Sequence, residues 1–449
     1  MAGKFKILKE LGLDEPALPV KESRKMGRDE EWDYVQNKYP FVPPSFLGKI
    51  NYQKKGTAMT EAAVKKVQDP YYAKGPRILF QWHHEDYTEP VAVPFCMKLN
   101  DSTAIALQFC PPDIGDPYLI DVIDDKFYIL SGDRVLEEID FFKATDFEVK
   151  GKTTRSGVPL THIGWLSGSS CMLIIPNSHC QYWNTNDQCR FCDLDYNTRQ
   201  AMKLGKGWKV RLNADDVYDL WSEALKEKGR WQHVLITGGS NPKDNFSREI
   251  NQLVDIITAI RKAGEPYEPY HIPINVIATP YTEDGYKAVK DAGADAFGCY
   301  YETWKREQWE LVCPGKAKAI GYDPYIERTL NAVKIFGEGN VTAGFVPGVE
   351  MAPPPYGFAE VDEAVNSSLE GYDFLIKNGI VPLGTNWCIQ PGSDFYKMGA
   401  VQPPLEFYVK LDIGRYRLLM KHHNGRLSAD QMGWKFQPLS CYPDWQRLL

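Results

Sequence analysis

The chain has 449 residues, more than one typical domain, so two folded units are expected. Hydrophobic residues make up 43% and charged residues 25%, an ordinary globular balance, and a net charge of −7 argues against a nucleic-acid partner, which would need a basic surface. No run of eighteen apolar residues occurs, the start lacks an apolar signal core, and ten cysteines without dense even spacing do not form a secreted disulfide framework; no membrane span and a cytoplasmic location are expected.

Residues 1–74 are polar and interrupted by prolines, as in Pro40-Phe41-Val42-Pro43-Pro44, and read as an irregular arm with short helices. Thr60 is placed to cap a helix through Gln68. Residues 75–165 read as a mostly antiparallel β accessory module. Its strands are expected at Arg77–Trp82, Thr103–Phe109, Tyr118–Ile123, Lys126–Leu130 and Val135–Phe141, with a hairpin turn at Ser131-Gly132-Asp133. From Cys171 to Ile175 onward, strand and helix alternate. Strands are expected at Val234–Ile236, Ile274–Ala278, Ala296–Tyr301, Val341–Val346 and Ile380–Leu383. The intervening helices fall at Asn213–Lys228, Ser247–Ala263, Thr282–Ala292, Tyr325–Phe336 and Val361–Asn378. Repeated βα units imply a parallel sheet with outer helices, so the fold class is α/β. This core spans 166–395, and 396–449 form a helical extension that begins with a helix near Leu405–Met420. Lys203, Lys206, Lys209 and Arg211 form a basic run that reads as a solvated loop.

The chemistry concentrates in His179 to Cys192, where Cys180, Cys189 and Cys192 are spaced Cys-x8-Cys-x2-Cys. Three thiolates suit a four-iron cluster with one iron left open to a small molecule. The same three with His179 would also suit zinc. Both readings stand on the cysteines alone.

The stretch resembles the radical S-adenosylmethionine (SAM) superfamily, whose usual signature is Cys-x3-Cys-x2-Cys with an aromatic residue before the last cysteine. Phe191 holds that aromatic place, while the first spacing is eight rather than three. The resemblance covers about residues 165 to 390 and is greatest to the biotin-synthase-like branch. It implies a partial (β/α)6 TIM-like barrel, a [4Fe-4S] cluster on Cys180, Cys189 and Cys192, and bound SAM.

In parallel α/β folds ligands bind at the C-terminal ends of strands. Gly238-Gly239 ends one expected strand and, alone, reads as a glycine turn. By resemblance it is the backbone contact to the SAM amino group, although Ser240 stands where the family has an acid. Glu302 reads alone as a surface or capping charge; by resemblance it contacts SAM. Arg328 reads as a helix-surface charge or, by resemblance, holds the SAM carboxylate. Val346 takes the place of an adenine-contacting isoleucine. The resemblance implies reductive cleavage of SAM to a 5′-deoxyadenosyl radical that takes hydrogen from a small-molecule substrate, with cleavage or rearrangement as the leading outcome. Its partners would be that substrate and an external flavodoxin- or ferredoxin-like electron donor. A peptide-modifying enzyme, a radical methyltransferase and a non-catalytic iron–sulfur or zinc scaffold are the alternatives.

Overall fold

The computed structural model describes residues 5–75, 77–79, 91–109, 116–204, 209–425 and 427. Phe80-Gln81-Trp82 of one expected strand, the pair His83-His84, Lys206, Cys110 and Cys441 lie outside the described residues. In chain order the strands are β1 (Thr57–Met59), β2 (Arg77–Leu79), β3 (Val91–Val93), β4 (Cys96–Leu99), β5 (Ala104–Ala106), β6 (Tyr118–Ile123), β7 (Lys126–Ser131), β8 (Arg134–Phe141), β9 (Gly164–Ser167), β10 (Cys171–Ile174), β11 (His233–Thr237), β12 (Ile274–Ala278), β13 (Ala296–Cys299), β14 (Val341–Phe345) and β15 (Ile380–Gly384).

The last seven form one sheet in the order β15-β14-β13-β12-β11-β10-β9. Every neighbouring pair from β10 to β15 is parallel, and β9 runs antiparallel to β10. Six parallel strands with helical crossovers match the expected (β/α)6 half-barrel. The antiparallel edge strand β9 is an addition to that expectation. Helix Ser247–Gly264 connects β11 to β12, Glu283–Asp291 connects β12 to β13, and Val361–Lys377 connects β14 to β15. Helix Tyr322–Phe336, ahead of β14, begins three residues earlier than its apolar pattern suggests.

Successive side chains of a strand point to opposite faces, and this divides the interior. Met172, Ile174, Val234, Ile236, Ile274 and Val276 join Leu253, Ile256 and Ile260 of helix Ser247–Gly264 in one core. Cys171, Leu173 and Leu235 face the other way and cluster with Phe95, Cys96 and Ala106. On that face, the β9–β11 end of the half-barrel is therefore covered by the region of β4 and β5.

Those strands belong to a second sheet, ordered β1-β6-β7-β8-β4-β5. All its pairings are antiparallel except β1 with β6. Met59, Ala63, Val64 and Val67, from a segment read as part of the arm, share this sheet's core with Ile120, Phe127 and Ile139. Thr60 caps helix Glu61–Val67 as expected, accepting from the Ala63 amide at 3.2 Å. Helix Pro44–Lys55 is buried from Phe46 to Lys54 and bridges the two sheets. Its Asn51 donates to the Tyr118 hydroxyl at 2.7 Å, and its Gln53 accepts from Asn386, just beyond β15, at 3.1 Å. Among the described residues no helix is long and apolar enough to cross a membrane.

Candidate metal and cofactor site

The cysteine loop leaves β10 at Ile174 and is held from several sides. The Leu212 amide donates to the Pro176 carbonyl and the Ser178 amide to the Val210 carbonyl, both at 2.8 Å. The Thr198 hydroxyl donates to the Ser178 carbonyl at 2.7 Å. Cys180 precedes one turn of 3₁₀ helix, Gln181–Thr185, which Asn186 ends in the left-handed region at φ 57°. The Cys192 amide donates to the Cys189 carbonyl at 3.0 Å, closing the tight turn that a Cys-x2-Cys spacing makes. All three cysteines are free thiols and half-buried. Burial pushes the Cys180 thiol up to about 11 and the Cys192 thiol well above its ordinary value. Cys189 goes the other way, because a hydrogen bond from Cys313 stabilises its thiolate.

The donor set separates the two metal readings. Zinc needs four donors converging on one ion. The His179 ring is engaged elsewhere, with Nε2 3.1 Å from Asn184 Oδ1 and Nδ1 3.6 Å from Asp195. Among the described residues no three His, Cys, Asp or Glu side chains are grouped to hold a single ion. A cluster asks only for thiolates spread around a larger body. The Tyr182 hydroxyl, on this loop, is buried with no hydrogen-bond partner among the described residues. Three thiols and an orphaned hydroxyl fit an iron–sulfur cluster better than they fit zinc.

Gly238 and Gly239 follow β11 and lie directly against this loop. A Cβ on Gly239 would stand 2.5 Å from the Cys180 nitrogen, and one on Gly238 would stand 2.7 Å from the Asn177 carbonyl oxygen. The Gly239 amide donates to that Asn177 carbonyl at 2.7 Å, and the Gln181 amide donates to the Ser240 carbonyl at 2.8 Å. The pair thus has a role in the fold itself: only glycine lets the cysteine loop seat here. Ser240 Oγ lies 2.8 Å from Thr279 Oγ1. Nearby, Glu249 accepts from the Asn241 amide and the Tyr281 hydroxyl, each at 2.6 Å, and burial pushes its carboxyl up to about 7.

Glu302 is buried and holds φ 73°, a left-handed backbone that costs a non-glycine residue roughly 1–2 kcal/mol. Neighbours over-determine that shape. Its amide donates to the Gly344 carbonyl at 3.0 Å, and its carbonyl accepts from the Val346 amide at 2.9 Å. Lys316 donates to its carboxylate at 2.5 Å and to the Tyr300 carbonyl at 2.8 Å. Burial works against the Lys316 charge, but Glu302 outweighs it and holds the ammonium well above its ordinary range. The Tyr300 ring crosses Gly344, where a Cβ would lie 1.9 Å from ring carbons.

The expected site residues do not all meet. Cys180 and Gly239 touch directly, and Gly238 lies against Asn177 of the same loop. Glu302 and Val346 are hydrogen-bonded neighbours, and Lys316 pairs with Glu302. Arg328 is set apart, donating to the Pro280 carbonyl and to Asn245 Oδ1, both at 3.3 Å, in the loops after β12 and β11. Phe191 packs half-buried on the main core. Cys313, Lys316 and Glu249 were not singled out for the site from sequence, and Tyr300, near a strand end, reads as ordinary core or as a pocket wall. The one available signal was Pro314, which sits at the first position of the short helix Pro314–Ala319.

No protein-family model matches the chain. A curated relative, the bacteriochlorophyllide c C-7(1)-hydroxylase of Chlorobaculum limnaeum, is 24% identical over 230 residues, 49% of this chain and 52% of its own length. The chain therefore spans about half the length of the curated relative it matches. Among solved structures, methylornithine synthase matches 56% of this chain and 63% of its own at 17% identity and a TM-score of 0.39. The [FeFe]-hydrogenase maturase from Carboxydothermus hydrogenoformans matches 56% and 51% at 20% identity and a TM-score of 0.40. Coproporphyrinogen III oxidase from Escherichia coli, titled a radical SAM enzyme, matches 59% and 55% at 13% identity and a TM-score of 0.35. The chain is similar to radical SAM enzymes.

Proposed function

We propose that the chain is a radical SAM enzyme that holds one [4Fe-4S] cluster on Cys180, Cys189 and Cys192 and acts on a small molecule. The observation that supports this most is the placement of three half-buried thiols on the loop leaving β10, at the C-terminal end of a six-strand parallel half-barrel. In parallel α/β folds, that end is where ligands bind. When bound, the cluster and SAM would supply one-electron cleavage to methionine and a 5′-deoxyadenosyl radical.

The chain's own residues would do the rest. Gly239 seats the cysteine loop. Glu302, strapped by Gly344 and Val346, presents a carboxylate suited to hydroxyl donors such as a ribose. Arg328, on the rim, offers a guanidinium suited to a carboxylate. The cover of β4 and β5 keeps water from the β9–β11 end of the inner face. An external flavodoxin- or ferredoxin-like donor would supply the electron. Cleavage or rearrangement of the substrate remains the leading outcome. Hydroxylation is a second reading, favoured by the name of the 24%-identical relative.

The test is an anaerobic incubation with dithionite and SAM, with 5′-deoxyadenosine as the readout. Release is expected from the intact protein and loss of release from Cys192→Ala. Equal release from both would defeat the proposal.

A further inference from the structure

Glu302 is 8% exposed, and its carboxylate is only half used. Oε1 takes the Lys316 ammonium at 2.5 Å, while Oε2 accepts no hydrogen bond among the described residues. A carboxylate has room for about four donors, and a buried polar atom left open calls for a partner that the fold does not supply. The left-handed backbone at φ 73° points the same way, since such strain persists where its surroundings over-determine it and collects at ligand sites. Lys316 is itself firmly placed. Its ammonium also donates to the Tyr300 carbonyl at 2.8 Å, an acceptor shared with the Tyr325 hydroxyl at 2.5 Å. The preceding residue, Gly315, is tied to the cysteine loop: its amide donates to the Asp187 carbonyl at 2.9 Å, and a Cβ there would stand 2.4 Å from the Tyr182 ring. Lys316 therefore reaches Glu302, just beyond β13, from a segment anchored on the cysteine loop.

We propose that Lys316 is a positioning residue for Glu302: it pins Oε1 and so holds Oε2 open to the ribose hydroxyls of bound SAM. The inference rests on the SAM reading of the preceding subsection and adds the group that sets the ribose contact. An acceptor already fixed in place loses little freedom when the ligand arrives, and that raises affinity for a ligand carrying the matching donors. An ion pair that only supported the fold would favour no ligand hydroxyl.

The experiment measures anaerobic calorimetric binding of S-adenosylhomocysteine, which is not reductively cleaved, and of its 2′,3′-dideoxy analogue, which lacks the ribose hydroxyls. The native protein, Lys316→Met, Lys316→Gln, Glu302→Gln and the Lys316→Met/Glu302→Gln double variant are compared. The native protein is expected to prefer the hydroxylated ligand by about tenfold or more, the size of one hydrogen bond to a charged group. Lys316→Met should bind the dideoxy analogue as the native protein does and lose most of that preference. Lys316→Gln, with a shorter and neutral donor, should fall between. Glu302→Gln should lose the preference too, and adding Lys316→Met should take nothing further, because Lys316 acts through that carboxylate. A Lys316→Met that weakens both ligands equally overturns the inference, because that marks a supporting ion pair. An unmoved preference, or a further loss in the double variant, also overturns it. A native protein that binds both ligands alike overturns it and leaves the SAM reading intact. A native protein that binds neither overturns the SAM reading itself and this inference with it. Should Lys316→Met fail to fold, Lys316→Gln carries the same expectation of a reduced preference, and an unmoved value there overturns the proposal.

Discussion

Glu350 shows how one buried side chain ties stability to pH. It is fully buried, accepts from the Gly348 amide at 2.8 Å and from the Ser368 hydroxyl at 2.5 Å, and burial pushes its carboxyl up to about 7. An unfolded glutamate titrates near 4.3. Below that value both states are protonated and the contribution is fully present. Between about 4.3 and 7 the unfolded chain releases its proton while the folded chain keeps it, so stability is lost as pH rises through this window. The loss is on the order of 3–4 kcal/mol, the order that a shift of this size implies. Glu350→Gln is expected to melt higher than the native protein at pH 8 and to differ little from it at pH 4.5. Equal melting shifts at both pH values would show that Glu350 is ionised in the fold. At this scale the cysteine spacing and the glycine pair stand out in sequence, because both are local patterns. Lys316 does not, because its meaning comes from Glu302, which reaches it through a left-handed backbone that no local rule assigns to glutamate. Gly239 carries a related lesson: its need for no Cβ is met by Cys180, a contact across two strand ends that the motif alone does not reveal.

At the scale of elements, the parallel strands and their helices were legible from apolar runs alternating with amphipathic segments. β9 was not expected. Gly164-Trp165-Leu166-Ser167 is short, and its antiparallel pairing with β10 depends on Trp165 finding Phe95 of the other sheet, with ring centroids 6.5 Å apart. That contact also gives residues 95–106 a physical role, as the cover over Cys171, Leu173 and Leu235. Truncating Phe95 removes a ring from a packed interior and leaves a cavity. Phe95→Ala is expected to destabilise the protein by about 3 kcal/mol or more, seen as a lower denaturant midpoint. A midpoint within error of the native value would mean that the cover is not packed on the barrel.

Across the described residues, the segment 5–40 is fastened to the C-terminal helix Leu405–His423. Buried Glu406 accepts from the Leu18 amide and the Tyr39 hydroxyl, each at 2.9 Å, and pairs with Lys38 at 2.7 Å. Glu31 repeats the device, pairing with Lys54 at 2.8 Å and accepting from the Leu405 amide at 2.7 Å. The links from Glu406 to Lys38 and from Glu31 to Leu405 stay invisible in sequence because their partners lie more than three hundred residues apart. Glu406→Leu leaves Lys38 without this partner, and breaking a buried pair costs about 3–5 kcal/mol. The variant is expected to be cut by protease within residues 5–40 faster than the native protein. Unchanged cleavage there would show that the arm is held by other contacts.

The central claim is that Cys180, Cys189 and Cys192 hold an iron–sulfur cluster at the strand ends. Its most direct test is the metal content of protein purified without oxygen, compared with a variant in which all three cysteines are replaced by alanine. The account predicts about four irons and four sulfides per chain, the content of a single four-iron cluster, and none in the variant. Zinc in place of iron, or iron unchanged by the triple replacement, would contradict it.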